Sequence, residues 1–168
     1  MMKMEFHTGR SGTKMSDFQS ESKKSGDKFE ELVYEDLIKL HYFNIQKNVD
    51  VPEVGIQVDF MGENYHYVEA KGGVEGDRKR PGAKRTDNVK KAIANGALLK
   101  KAKPNSYYVV YFSSRPYKDS SSDRMINAAL KYKIIDEVRY IEYDDLNLTL
   151  LLFEDHYPLD NMGWDGIE

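Results

Sequence analysis

Asp59, Glu69 and Lys71 are the residues of this chain whose types and spacing can carry chemistry. They lie in residues 55–73, GIQVDF-MGEN-YHYVEAKGG, which read as the two strands of a hairpin. Successive side chains of a strand alternate, so Tyr65, Tyr67, Glu69 and Lys71 share one face while His66, Val68 and Ala70 share the other. On the preceding strand Ile56, Val58 and Phe60 form the apolar face, which leaves Gln57, Asp59 and Met61 opposite. With Gly62-Glu63-Asn64 as a three-residue turn, Met61 pairs with Tyr65, and Asp59 falls opposite Tyr67, diagonal to Glu69. Two carboxylates and one amine then share a small site. Carboxylates this close repel unless a proton or a cation sits between them. A hard divalent ion suits them: magnesium keeps several waters and needs few carboxylates, and manganese is expected to substitute. Beside such an ion the Lys71 ammonium would orient an attacking water or neutralise charge developing on a phosphoryl oxygen. The plainer alternative is a surface salt bridge between Glu69 and Lys71, worth ~0–1 kcal/mol, with Asp59 merely exposed.

The surrounding sequence shifts the weight toward the first reading. Asp59, Glu69, Ala70 and Lys71 stand as D-x9-E-A-K at adjacent strand ends, a pattern that resembles the PD-(D/E)XK nuclease superfamily, the restriction-endonuclease-like fold. Upstream, residues 26–33, GDKFEELV, look like the G-x-x-F-E-x-x-V opening of that superfamily's first helix, as in the archaeal Holliday-junction resolvases. Val58 stands where the name-giving proline would precede the aspartate. The resemblance covers roughly residues 25–145. It implies an α/β fold with a mixed central sheet flanked by helices, in the core order α-β-β-β-α-β. It also implies magnesium on Asp59, Glu69 and the main-chain carbonyl of Ala70, with Glu30 supporting the metal shell and Lys71 orienting the water. The implied reaction is hydrolysis of DNA phosphodiesters, most simply endonucleolytic, leaving 5′-phosphate ends. A non-catalytic nucleic-acid-binding module of the same fold and an RNA-directed nuclease are the alternatives.

Length and composition bound the reading. A chain of 168 residues, 40% hydrophobic, supports one domain with a real core. The expected division is a flexible arm over residues 1–24, the nuclease-like domain over 25–155 and an acidic tail over 156–168. There is no cysteine, which excludes disulfides, zinc–thiolate sites and thiol catalysis. No apolar run is long enough to span a bilayer and the start of the chain lacks the apolar core of a signal peptide, so a cytoplasmic protein with no membrane partner is expected. DNA is the expected partner, engaged by a homodimer that cuts both strands or within a larger DNA-processing complex. The four histidines, His7, His41, His66 and His156, show no metal-ligand spacing.

Net charge is −3, so any nucleic-acid contact must come from local charge. Between Lys71 and Lys103 stand eleven Lys and Arg against three acids. The glycine-rich loop 72–84 carries Arg78, Lys79, Arg80 and Lys84, followed by Arg85. Such a loop can close on a phosphate backbone without reading bases. Thr86 or Asp87 is expected to cap a helix over 88–102 with Val89, Ala92, Ile93 and Gly96 inward and Lys90 and Lys91 outward. Lys100, Lys101 and Lys103 read as solvated. Before the hairpin, Ser25 or Asp27 is expected to cap a helix over 27–41 with Phe29, Leu32, Val33, Leu37 and Leu40 on its apolar stripe, and Glu30 beside it. From the residues alone Glu30 is either an exposed helix acid favoured by the dipole or a site acid. A strand is expected near 44–50, a doubly buried strand over 106–113, a helix over 123–133 and a last strand over 138–143. Arg115, beyond the buried strand's end, is a candidate phosphate contact.

Overall fold

The apolar run after residue 106 forms the strand that two layers of helix cover. In a computed structural model of the chain, which describes residues 13–73 and 81–142, with side chains from residue 26 onward, this strand is β4, Tyr107–Phe112. The elements before it are α1 (Thr13–Lys39), β1 (Gln46–Val51), β2 (Ile56–Met61), β3 (His66–Lys71) and α2 (Thr86–Ala102); those after it are α3 (Ser121–Lys131) and β5 (Glu137–Tyr140). The five strands form one mixed sheet in the order β1-β2-β3-β4-β5. β1, β2 and β3 are antiparallel to their neighbours, whereas β3, β4 and β5 run parallel. The fold is α/β, a mixed sheet with helices on both faces.

Alternation along β3 and β4 sorts the core into two layers. Val68, Ala70, Val109 and Tyr111 meet Phe29, Val33 and Leu37 of α1 on one face. Tyr67, Tyr108, Val110 and Phe112 meet Val89, Ala92 and Leu99 of α2 and Ile126 and Ala129 of α3 on the other. β4 is buried on both sides from Tyr108 onward, which explains its nearly unbroken apolar sequence. Among the described residues no helix is long and apolar enough to cross a membrane.

Two helix starts and the hairpin register differ from expectation. α1 begins at Thr13, so Ser25 and Asp27 lie inside it and not at its start; Lys, Glu and Gln are good helix formers, and an already nucleated helix extends at little cost. The α2 start has no side-chain cap: Arg85 holds the cap position, while the Thr86 hydroxyl lies 3.4 Å from that of Ser122 on α3. Last, the hairpin register is displaced by two residues. Met61 pairs with Tyr67 and Phe60 with Val68, because the turn holds an extra residue pair closed by the Gly62 N–H donating to the His66 carbonyl at 2.8 Å. Asn64 and Tyr65 take left-handed backbone there. A shift of two keeps every β3 side chain on its expected face.

β2 does not behave as a regular strand. Its pairing with β1 runs Gln46–Met61 and Lys47–Phe60, skips one residue on each side, and resumes at Val49–Val58. The skipped pair is Asn48, with a φ of 52°, and Asp59. Asn tolerates the left-handed region better than most residues, and one such residue turns the ribbon over. Phe60 therefore packs with α1 while Val58 and Ile56 pack with α2 and α3, not on one shared face as the alternation predicts.

Candidate active site

Asp59 sits at this break. Pairing of β2 with β3 ends at Phe60–Val68, so the next outward-turned N–H of β3, that of Ala70, has no strand partner. It donates instead to Asp59 Oδ2 at 2.6 Å. In a strand a residue's N–H and C=O leave on the same side, so the Ala70 carbonyl faces the same gap. The site is thus a split in the sheet with a carboxylate lodged in it.

Glu69 projects from β3 to the α2 side and is 1% exposed. Its Oε1 accepts from Asn95 Nδ2 of α2 at 2.9 Å and meets the Lys71 ammonium in a close ion pair. Its Oε2 is buried and makes no hydrogen bond of ordinary geometry, with the Tyr108 hydroxyl a close neighbour of this carboxylate. The same ammonium lies 4.0 Å from Asp59 Oδ2. Burial pushes the carboxyls of both Asp59 and Glu69 above the usual range; Lys71 opposes this in each, and for Glu69 the Asp59 charge adds to it. Glu30 on α1 is also pushed up, first by burial and next by Asp59. α1 reaches the gap because Phe29 packs on Gly72: a Cβ there would lie 2.4 Å from the Phe29 ring.

The structure therefore brings together Asp59, Glu69, Ala70 and Lys71, and sets Glu30 within their electrostatic reach. Lys84 ends a single 3-10 turn, Gly82–Lys84, docked on the end of β4: the Ala83 N–H donates to the Ser114 carbonyl and the Ser114 hydroxyl to the Pro81 carbonyl at 2.6 Å. Lys84 Nζ lies 5.9 Å from the Tyr117 ring centre. Arg85, Lys90 and Lys91 are exposed at and beyond the start of α2. Lys91 precedes Asn95 by one helical turn, hence on the same side of the helix. Arg78, Lys79 and Arg80 lie outside the described residues. Lys100 is not simply solvated: it pairs with Asp136 and donates to the Ser106 carbonyl. Lys103 pairs with Glu53 at 2.5 Å.

Two site residues escaped the sequence reading. Asn95 stands among Val89, Ala92, Gly96 and Leu99 on the inward side of α2, and a polar residue interrupting an apolar stripe was the available signal. Tyr108 is fully buried; its hydroxyl donates to the Ala92 carbonyl at 3.2 Å, and burial first, then the Glu69 charge, push its pKa well up. Nothing in a buried aromatic strand marks one tyrosine as lying beside an acid.

Does the donor set suit a divalent cation? Among the described residues no three Asp, Glu or His side chains are gathered tightly enough to form a metal cluster. Magnesium does not require three, since one or two carboxylates plus waters serve it. The partnerless Glu69 Oε2 is the observation in favour, because a buried anionic oxygen without a partner is costly and a cation relieves it. Comparison of the chain with protein-family models, with curated proteins and with solved structures returned no match.

Proposed function

We propose that the chain is a magnesium-dependent nuclease that hydrolyses DNA phosphodiesters. The observation that carries this reading is a buried Glu69 oxygen without a partner, on a carboxylate whose Lys71 ammonium also lies 4.0 Å from Asp59. A structural ion pair does not require a second carboxylate, nor an unsatisfied oxygen in the core.

Asp59, Glu69 Oε2 and the Ala70 carbonyl would hold the ion, with Glu30 accepting from its water shell. When bound, the ion supplies Lewis-acid charge and lowers the pKa of a coordinated water. Lys71 donates to the attacking water or to a non-bridging phosphoryl oxygen, where its charge opposes the negative charge that builds up. Asn95 fixes the Glu69 carboxylate so that Oε1 is engaged and Oε2 remains available. Water forms a bond to phosphorus, the P–O3′ bond breaks, and the 3′-oxygen leaves as a hydroxyl, giving a 5′-phosphate. Lys84, Arg85, Lys90 and Lys91 would contact the flanking phosphates. The resemblance of D-x9-E-A-K and of the α1 opening to the PD-(D/E)XK nucleases supports the same conclusion, as does the α-β-β-β-α-β order up to β4.

The test is incubation with supercoiled, linear, single-stranded and branched DNA in magnesium or in EDTA. Cleavage is expected only with the metal. Lys71→Ala is expected to cut about 10²–10³-fold more slowly, the loss that follows removal of one charge-stabilising donor. Binding of every substrate without cleavage would move the reading to a non-catalytic module.

A further inference from the structure

The end of the sheet that holds Lys71 continues into a second arrangement that the hydrolytic residues do not use. Across the parallel strands Lys71 pairs in register with Phe112, and Phe112 with Tyr140. Adjacent strands are about 4.8 Å apart, which sets Tyr140 roughly 10 Å from Lys71. The Phe112 and Tyr140 rings stack with centres 6.3 Å apart. Arg115 covers the Tyr140 ring, its guanidinium carbon 4.5 Å from the ring centre, and is held by Glu142, which accepts from the Arg115 N–H at 3.1 Å and lies 3.5 Å from Nε. Two residues on, Tyr117 is 56% exposed.

The loop that displays Tyr117 is tied down rather than loose. Pro116 fixes one backbone angle, the Ser120 N–H donates to the Tyr117 carbonyl at 3.0 Å, and the Asp119 N–H donates to Asp123 Oδ2 at 2.9 Å. At its base the Ser113 hydroxyl accepts from the Gly73 N–H at 3.2 Å, two residues beyond Lys71. An exposed ring with the Lys84 ammonium 5.9 Å from its centre, and with Arg115 two residues before it in the chain, is therefore presented at a set position on the strand ends that carry the carboxylates.

We propose that Tyr117, Arg115 and Lys84 form a shelf for unpaired nucleotides, Tyr117 stacking a base and the two cations holding adjacent phosphates. The shelf assigns a substrate class to the nuclease reading on which it rests: nucleic acid with a single-stranded stretch beside the scissile bond. Rings interleaved with cations are the chemistry that holds single strands without reading sequence. In a duplex the bases are stacked on one another and offer an isolated ring no face.

Binding is measured in EDTA, so that cleavage plays no part, with fluorescent single-stranded and duplex DNA of matched length and a matched RNA strand at one fixed salt concentration. The native chain is expected to prefer the single strands. Tyr117→Ala should weaken single-strand binding about tenfold or more, the effect of removing one base stack, and leave duplex binding within about twofold. Tyr117→Phe should bind like the native chain, because the ring is kept. Arg115→Ala should lower the single-strand salt slope by about 0.7. Unchanged single-strand affinity in Tyr117→Ala, or equal loss on duplex and single strand, would overturn the shelf; a preference for RNA over DNA would keep it and change the substrate. If the shelf behaves as expected but no metal supports cleavage, the nuclease reading fails alone; if duplex is cut and Tyr117→Ala is silent, the shelf fails alone.

Discussion

Among the described residues three acids have their pKa raised, each first by burial: Asp59, Glu69 and Glu30. The sign of the consequence follows from linkage. A carboxyl whose folded pKa is raised binds its proton more tightly in the native state, so stability falls as pH rises from the ordinary carboxylate range, about 4, through the raised values. In EDTA the urea midpoint is expected to fall between pH 4.5 and 7.5, and Glu69→Gln, which removes the titration, should show a smaller fall. A parent midpoint that rises over this range by as much as that of Glu69→Gln would show that Glu69 does not titrate as its burial implies. At this scale the proximity of Glu69 and Lys71 was legible in the sequence because alternation along β3 survives a two-residue register shift, and Asp59 joins them through the break in β2. The bond from Asn95 was not, since nothing local says which acid an inward asparagine on α2 will meet.

Elements position the site through two irregularities. One is the turnover of the β1–β2 ribbon at Asn48 and Asp59, which frees Asp59 from the ladder and sends it to the Ala70 N–H. Periodicity cannot reveal it: alternating apolar residues at 56, 58 and 60 read as one face, whereas a single left-handed asparagine divides them between two cores. The other is the close approach of α1 to the end of β3 at Gly72. Gly72→Ala would drive a methyl group into the buried Phe29 ring, and overpacking of this kind costs about 1–3 kcal/mol. Urea unfolding should register that loss, and activity should fall further than stability explains, because Glu30 adjoins Phe29 on the displaced helix. An unchanged midpoint would mean that α1 does not clamp this end of the sheet. The helices and β4 themselves were visible from their apolar patterns, with ends off by a few residues; the α1 start was missed because the Lys- and Ser-rich sequence before residue 25 has no apolar stripe to mark a helix.

Over the whole molecule, charge is segregated rather than balanced. The net charge is −3, yet residues 71–103 carry eleven of the twenty-five Lys and Arg, and the exposed Arg85, Lys90 and Lys91 extend this excess along α2 next to the carboxylates. A polyanion should therefore bind at one side, with an affinity that falls steeply with salt. Replacing Lys90 and Lys91 by alanine should weaken DNA binding uniformly across sequences. On duplex it should also reduce the slope of log K against log salt by about 0.9 for each phosphate no longer neutralised; an unchanged slope would place the phosphate path elsewhere. Composition showed this asymmetry, but only the fold shows that α2 supplies both Asn95 to Glu69 and the outward lysines. The claim on which all of this depends is that the two carboxylates are a cation site and not a salt bridge. Calorimetric titration with manganese tests it most directly: the native chain should bind one ion per chain, Asp59→Ala should lose that binding, and Lys71→Ala should keep it or gain affinity, since the Lys71 ammonium is a positive charge beside both carboxylates. No binding by the native chain, or binding untouched by Asp59→Ala, would contradict the account.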